Sequence, residues 1–126
     1  MKALTIKQPW ATLITKGIKK YEFRSWKTSY RGTILIHAGK GIDKSSVIRL
    51  KEYLPEILPL GDIIGKADIV DCIKVTKEFK DKLLAENSEI YRGSEIDSYA
   101  WKLNNLVVFD KNIPAKGKLS LWEYNL

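Results

Sequence analysis

Residues 17–26 read Gly17-Ile18-Lys19-Lys20-Tyr21-Glu22-Phe23-Arg24-Ser25-Trp26. On a strand, successive side chains point to opposite faces. Tyr21 and Phe23 therefore face one way, and Lys20, Glu22, Arg24 and Trp26 the other. A face with two cations, a carboxylate and an indole is costly to bury and adds nothing to a core. The stretch predicts a strand over residues 20–26 with its apolar side inward and its charged side lining a polar concavity. Gly17 suits the left-handed conformation that ends a helix, so a helix is expected just before it. Strict alternation sets Lys19 opposite Glu22 and Arg24. Lys19 joins them only if the strand starts after it, in the turn that follows Gly17.

Working outward, residues 2–6 read as a first strand. Gln8-Pro9-Trp10 then opens the helix, with Pro9 at its first position, where a missing N–H costs nothing. Trp10, Leu13 and Ile14 fall at i, i+3 and i+4 and form one buried stripe. After Tyr30-Arg31-Gly32 comes an apolar strand over 33–38, broken by Gly39-Lys40-Gly41. Asp43 is suited to cap a helix reaching to about residue 54. Residues 63–75 form a long strand in which Ile63, Ala67, Ile69, Ile73 and Val75 share a parity. Asp71 interrupts it and marks a bulge or bend. A helix over 77–86 is followed by a polar loop over 87–97. Strands over 99–103 and 106–110, joined by Asn104-Asn105, and a last strand over 118–124 complete the chain.

Strands outnumber helices, and several connections are too short for helical crossovers between parallel strands. The expectation is an α+β domain: a small mixed β-barrel of about six strands with two or three flanking helices. With 126 residues, no repeat and no linker-like stretch, residues 1–126 read as a single domain. Hydrophobic residues at 44% and charged residues at 29% exclude a disordered chain. No run approaches the roughly 20 apolar residues of a membrane span. The first seven residues lack a signal-peptide core, so a cytoplasmic location is expected and no membrane partner. Oligomeric state is not readable.

The formal net charge is +7, which favours polyanionic partners. One cysteine, Cys72, precludes an internal disulfide, and its apolar run predicts a buried small hydrophobe, with a nucleophile paired to His37 as the alternative. With one cysteine and one histidine, His37, a zinc site is not expected, and no organic cofactor is implied. The parts of a nucleotide site are present on the charged face. A guanidinium suits a phosphate or base edge, a carboxylate an exocyclic amine, and an indole a stacked base. Candidate binding residues are Trp10, Lys19, Lys20, Glu22, Arg24 and Trp26. To these we add Arg31, His37, Tyr99, Trp101 and Lys118, with Lys40, Lys44 and Lys116 as further rim cations. Each also has a structural reading: His37, Tyr99 and Trp101 as core, and the isolated lysines as solvated surface.

Gly17, Lys19, Glu22 and Arg24 fit the pattern Gly-x-Lys-x-x-Glu-x-Arg of the ASCH domain family, a branch of the PUA-like barrels, which this chain resembles. The resemblance extends through Gln8-Pro9-Trp10-Ala11, Tyr30-Arg31-Gly32, Leu35-Ile36-His37-Ala38, Tyr99-Ala100-Trp101 and Lys116-Gly117-Lys118-Leu119 to Leu121-Trp122. It implies a barrel with a cleft beside the first helix, and binding of RNA, a nucleotide or a modified nucleoside. The family also includes small hydrolases. One branch deacetylates N4-acetylcytidine with a lysine, a threonine and a carboxylate, and another is linked to metal-independent RNA cleavage. Lys19 matches the amidohydrolase lysine. Glu22 stands where that branch has threonine, so the hydroxyl nucleophile is missing. Asp68, after Gly65-Lys66-Ala67, matches the later carboxylate. An enzyme of this kind would use Lys19, Glu22 and Asp68. A protein-interaction domain without a ligand is the third reading.

Overall fold

The computed structural model describes residues 1–125. Six strands form one mixed sheet, with three α-helices packed around it. In chain order these are β1 (Lys2–Gln8), α1 (Trp10–Thr15), β2 (Tyr21–Arg24), β3 (Gly32–Ile42) and α2 (Lys44–Arg49). A 3-10 turn at Lys51–Tyr53 leads to β4 (Asp62–Lys74), α3 (Lys77–Tyr91), β5 (Tyr99–Pro114) and β6 (Leu121–Glu123). The order across the sheet is β2-β5-β4-β3-β1-β6. β1 and β3 run parallel, and the other neighbours antiparallel. The sheet curls, as the expected barrel would, but its two end strands, β2 and β6, are not paired with each other.

Alternation along the central strands builds two cores. In β1 and β3, Leu4, Ile6, Ile34, Ile36 and Ala38 face α1 and pack with Ala11 and Ile14. The opposite parity supplies Ala3 and Leu35, which pack with Ile63 and Trp122 on the other face. A third cluster joins Leu13 of α1 to Leu50, Leu83, Ile90 and Tyr91, and Tyr21 and Phe23 of β2 pack against it. The two faces of β2 thus divide as the alternation predicts.

Several boundaries differ from the sequence expectation. Pro9 is the N-cap of α1, not its first residue, and its ring has no hydrogen-bond acceptor with which to cap it. The Gln8 amide does so instead: Oε1 accepts from Thr12 N at 3.0 Å, while Nε2 donates to Pro59 O at 2.9 Å. β3 continues past Gly39-Lys40-Gly41 to Ile42, though its register with β1 shifts across them. Glycine is needed there for closeness, because a Cβ at Gly39 would sit 2.9 Å from Thr5 Cγ2. Helix α2 is capped by Asp43 but stops at Arg49. α3 continues past the expected loop to Tyr91, with a break at Asn87 (φ −161°, ψ 94°). The Asn87 side chain accepts from Ile90 N at 3.2 Å and restarts the helix as a cap would. The Asn104-Asn105 pair lies inside a single strand, with Asn105 at φ 51°. The bulge expected at Asp71 is present as a register shift between Ile69 and Asp71.

Candidate functional site

A cleft of about 770 Å³ opens where β2 curls toward β1, walled by α2 and the turn after α3. The side chains at its base come from the short path between α1 and β2. Gly17 adopts φ +78°, and Ile18 N and Lys19 N both donate to Leu13 O. This tight turn, which ends α1, delays the strand until Tyr21. Lys19 is thereby freed from strand alternation and swings to the side of Glu22.

Glu22 is the centre of the arrangement. Its Oε2 accepts from Arg24 Nε at 3.1 Å and from Arg24 Nη2 at 2.9 Å. Its Oε1 lies 3.5 Å from Lys19 Nζ. Lys19 and Glu22 are both nearly buried, at 5% and 6% exposed. The Lys19 ammonium also sits 4.6 Å above the Trp10 ring centroid and 5.2 Å from that of Phe23. Burial pushes the Lys19 pKa below its ordinary value, with Arg24 adding to the fall, while the Glu22 carboxylate opposes it. Arg24 Nη2 reaches on to Thr5 O at 2.9 Å. That bond ties β2, one end strand, to β1, which lies next to the other end.

The cleft is lined by seven cations and two carboxylates. Besides Lys19 and Arg24, the cations are Lys7, Lys40, Arg49, Arg92 and Lys118. Asp43, the second carboxylate, is occupied as the α2 cap, accepting from the hydroxyls of Ser45 at 3.0 Å and Ser46 at 2.8 Å. Arg49 donates to the backbone and carboxylate oxygens of Glu89. The excess of positive charge, with one nearly buried carboxylate at its base, suits an anionic guest carrying a hydrogen-bond donor. Among the described residues, no group of three His, Cys, Asp or Glu side chains is placed to hold a metal ion.

Of the residues singled out from sequence, Trp10, Lys19, Glu22, Arg24 and Lys118 meet in this cleft, together with the rim cation Lys40. The others lie elsewhere. Lys20 is exposed and precedes β2, its backbone N–H donating to Tyr91 Oη at 2.9 Å. Trp26 lies past the end of β2 and packs edge-on against fully buried Trp101, ring centroids 4.7 Å apart. Trp101 Nε1 donates to Trp26 O, and Tyr99 packs at the margin of the same core. Arg31 is exposed and bonds to the carbonyls of Thr28 and Tyr30. His37 lines a second hollow next to the cleft. Asp68 does not line the cleft. It accepts from Thr33 Oγ1 at 2.6 Å and Asn105 Nδ2 at 2.8 Å, and these bonds, the asparagine's first, hold its pKa below the usual carboxylate range.

Sequence reasoning passed over Lys7, Arg49, Arg92 and Ser94. Arg92 and Ser94 follow α3, in what reads as a featureless polar loop. Only the extension of α3 to Tyr91 brings them to the cleft wall. Lys7 alternates outward from the core residue Ile6, and that parity was its available signal.

A model of the ASCH domain family matches residues 4–112. The chain is 30% identical over 131 residues to activating signal cointegrator 1 of Mus musculus, and 29% to that of Homo sapiens. Each alignment covers 95% of this chain and 22% of the relative, so the chain spans about a fifth of the length of these curated relatives. Among solved structures, an ASCH protein from Zymomonas mobilis aligns with a TM-score of 0.62 at 14% identity, covering 98% of this chain and 87% of that one. A tyrosine-to-phenylalanine mutant of the Zymomonas mobilis protein aligns with the same TM-score and identity, covering 98% of this chain and 89% of the mutant.

Proposed function

Because the chain belongs to the ASCH domain family, a family associated with RNA binding, we propose that the Glu22 cleft binds RNA through one nucleotide or modified nucleoside. The observation that carries this reading is the cluster of buried Lys19 and Glu22 with half-buried Arg24, set against the Trp10 ring at the base of a cation-rimmed cleft. Burying the Lys19–Glu22 pair is a poor device for stability alone, since apolar side chains of similar volume do as well or better. Among the described residues Glu22 Oε1 has only the 3.5 Å contact with Lys19, and it keeps acceptor capacity for an exocyclic amine. Trp10 gives an aromatic wall, and the rim lysines and Arg92 neutralise phosphate.

Calorimetric titration with the four 5′-mononucleotides and with N4-acetylcytidine tests the reading. Binding of at least one, weakened by salt in the case of the nucleotides and lost in Arg24→Ala, is expected. No heat with any of them, in a protein that is folded, would sink it.

A second reading is favoured by one observation, the lowered pKa of Lys19 beside Glu22. A lysine whose pKa is lowered gives up its proton more readily and can then serve as a proton acceptor, which an N4-acetylcytidine amidohydrolase requires. The carboxylate partner would then be Glu22, because Asp68 is engaged outside the cleft. Cytidine released by the parent and not by Lys19→Ala would establish this reading.

A further inference from the structure

Beside the Glu22 cleft lies a second hollow of about 760 Å³. The two share a wall made of Thr5, Gly39, Lys40, Lys118 and Leu119. Thr5 belongs to both in a literal sense. Its carbonyl accepts from Arg24 on the first side, and its hydroxyl meets His37 Nδ1 at 3.1 Å and Trp122 Nε1 at 3.1 Å on the second. His37 Nε2 lies 2.7 Å from Ala115 O, which can only accept, so Nε2 carries the proton and Nδ1 accepts from Thr5. The side-chain polar groups of the floor thereby satisfy one another. What remains open to a guest is largely apolar: Pro114, Ala115 and Leu119, the last 93% exposed. The charged residues around the hollow are Lys40, Lys116 and Lys118, with no carboxylate among the described residues that line it.

We propose that this hollow seats the base of the nucleotide adjoining the one in the Glu22 cleft, with the linking phosphate held between Lys40 and Lys118. The inference rests on the reading of the first cleft as a nucleotide site. It follows from the continuity of the two spaces and from charge complementarity. A strand of single-stranded RNA alternates flat, largely apolar bases with anionic linkers. The protein alternates in the same way: a polar cleft, a ridge bearing two lysines, then an apolar hollow. Grooves that track single strands combine these elements. Leu119 stands on the ridge without cover and would be sheltered by the second base. The hollow keeps its shape because the loop at Gly117 presses on its floor, where a Cβ would lie 2.8 Å from Thr5 Oγ1 and 2.9 Å from His37 Cε1.

The test compares three ligands of each base: the mononucleotide pN, the bisphosphate pNp, and the dinucleotide pNpN, against the full chain and against Lys116→Gln. Lys116 lines the second hollow only. The dinucleotide is expected to bind about tenfold tighter than pNp, the gain of one added base contact. Lys116→Gln is expected to weaken pNpN several-fold while leaving pN unchanged. Equal affinities for pNp and pNpN would show that the ridge takes a phosphate and the hollow no base, which overturns the inference. So would a gain for pNpN that Lys116→Gln leaves intact. If neither pN nor pNpN binds, the nucleotide reading of the first cleft fails and this one falls with it; if pN binds and pNpN gains nothing, only the present inference fails.

Discussion

Arg24 Nη2 lies 2.9 Å from Thr5 O, so a side chain from one end strand of the sheet joins the backbone of a strand near the other end. A ladder of backbone hydrogen bonds across that gap would close the sheet and fill the space. The guanidinium spans it and leaves the cleft open. Shortening this link is expected to loosen the site more than the fold. Arg24→Lys keeps the charge but cannot bond Glu22 with two nitrogens and Thr5 as well. It should lower nucleotide affinity about tenfold, the loss of one charge-assisted hydrogen bond, read by calorimetry, while the urea midpoint moves little.

Removing Glu22 should have the opposite balance. Glu22→Ala strands the buried Lys19 ammonium without its carboxylate, a loss of about 3 kcal/mol for a broken buried pair. The urea midpoint should fall at unchanged slope. Glu22→Gln, which keeps an acceptor for Arg24 but no charge for Lys19, should recover only part of it.

Lys19 makes stability depend on pH in a defined direction. Its pKa is lowered in the folded protein, so the unfolded chain binds more protons between that lowered value and 10.5. Stability owed to this group therefore rises with pH across that window and is flat below it. Tyr91 and Tyr21, whose phenols are pushed up by burial, act in the reverse sense above pH 10.0. The difference between the parent and Lys19→Met isolates the lysine. Urea midpoints taken from about pH 7 to about pH 10 should show the parent gaining on the variant; a constant gap would contradict the buried, proton-shedding lysine.

Thr12 Oγ1 is buried and has no hydrogen-bond partner among the described residues. Thr12→Val replaces that hydroxyl with a methyl of similar shape. Thermal unfolding should show a gain of about 1 kcal/mol. Nucleotide affinity should be unchanged, because Thr12 does not line the cleft.

Gly17 tests the turn that delivers Lys19. A Cβ there would meet only Leu106 Cδ1, at an ordinary 3.8 Å, so the penalty of Gly17→Ala is conformational. At φ +78° it amounts to about 1 kcal/mol. Gly17→Asn should cost less in a urea titration, since asparagine tolerates this conformation better.

The legible parts of the sequence were those where one local rule had no rival. The alternation of Tyr21 and Phe23 against Glu22 and Arg24 located β2 and its charged face. Gly17 signalled the left-handed turn, and Asp71 the bulge. Where a local rule competed with distant neighbours, the neighbours won. Gly39 and Gly41 look like a strand breaker, but they form an irregularity within β3, whose pairing with β1 resumes at Ile42. Asn87 looks like the start of a loop, but it caps a further helical turn whose Ile90 and Tyr91 are buried against Leu13 and Leu50. Trp26 looks like part of the charged face, but β2 ends at Arg24 and the indole turns back onto Trp101. The cleft suffered from the same limit. Its base is a contiguous motif and could be read, whereas its rim is assembled from Lys7, Lys40, Arg49, Arg92 and Lys118, which share no sequence neighbourhood.

The strand that bears Glu22 and Arg24 is four residues long and rests on β5 alone. β3, by contrast, is paired on both sides and buried through its middle. Amides in so short an edge segment exchange with solvent through small local openings, and those of a doubly flanked strand only when much of the domain opens. The charged base of the cleft is thus the compliant part of the sheet, and β3 the stiff part. A guest of awkward outline can be accommodated by a few residues shifting at the margin, without disturbing the centre that keeps the domain folded.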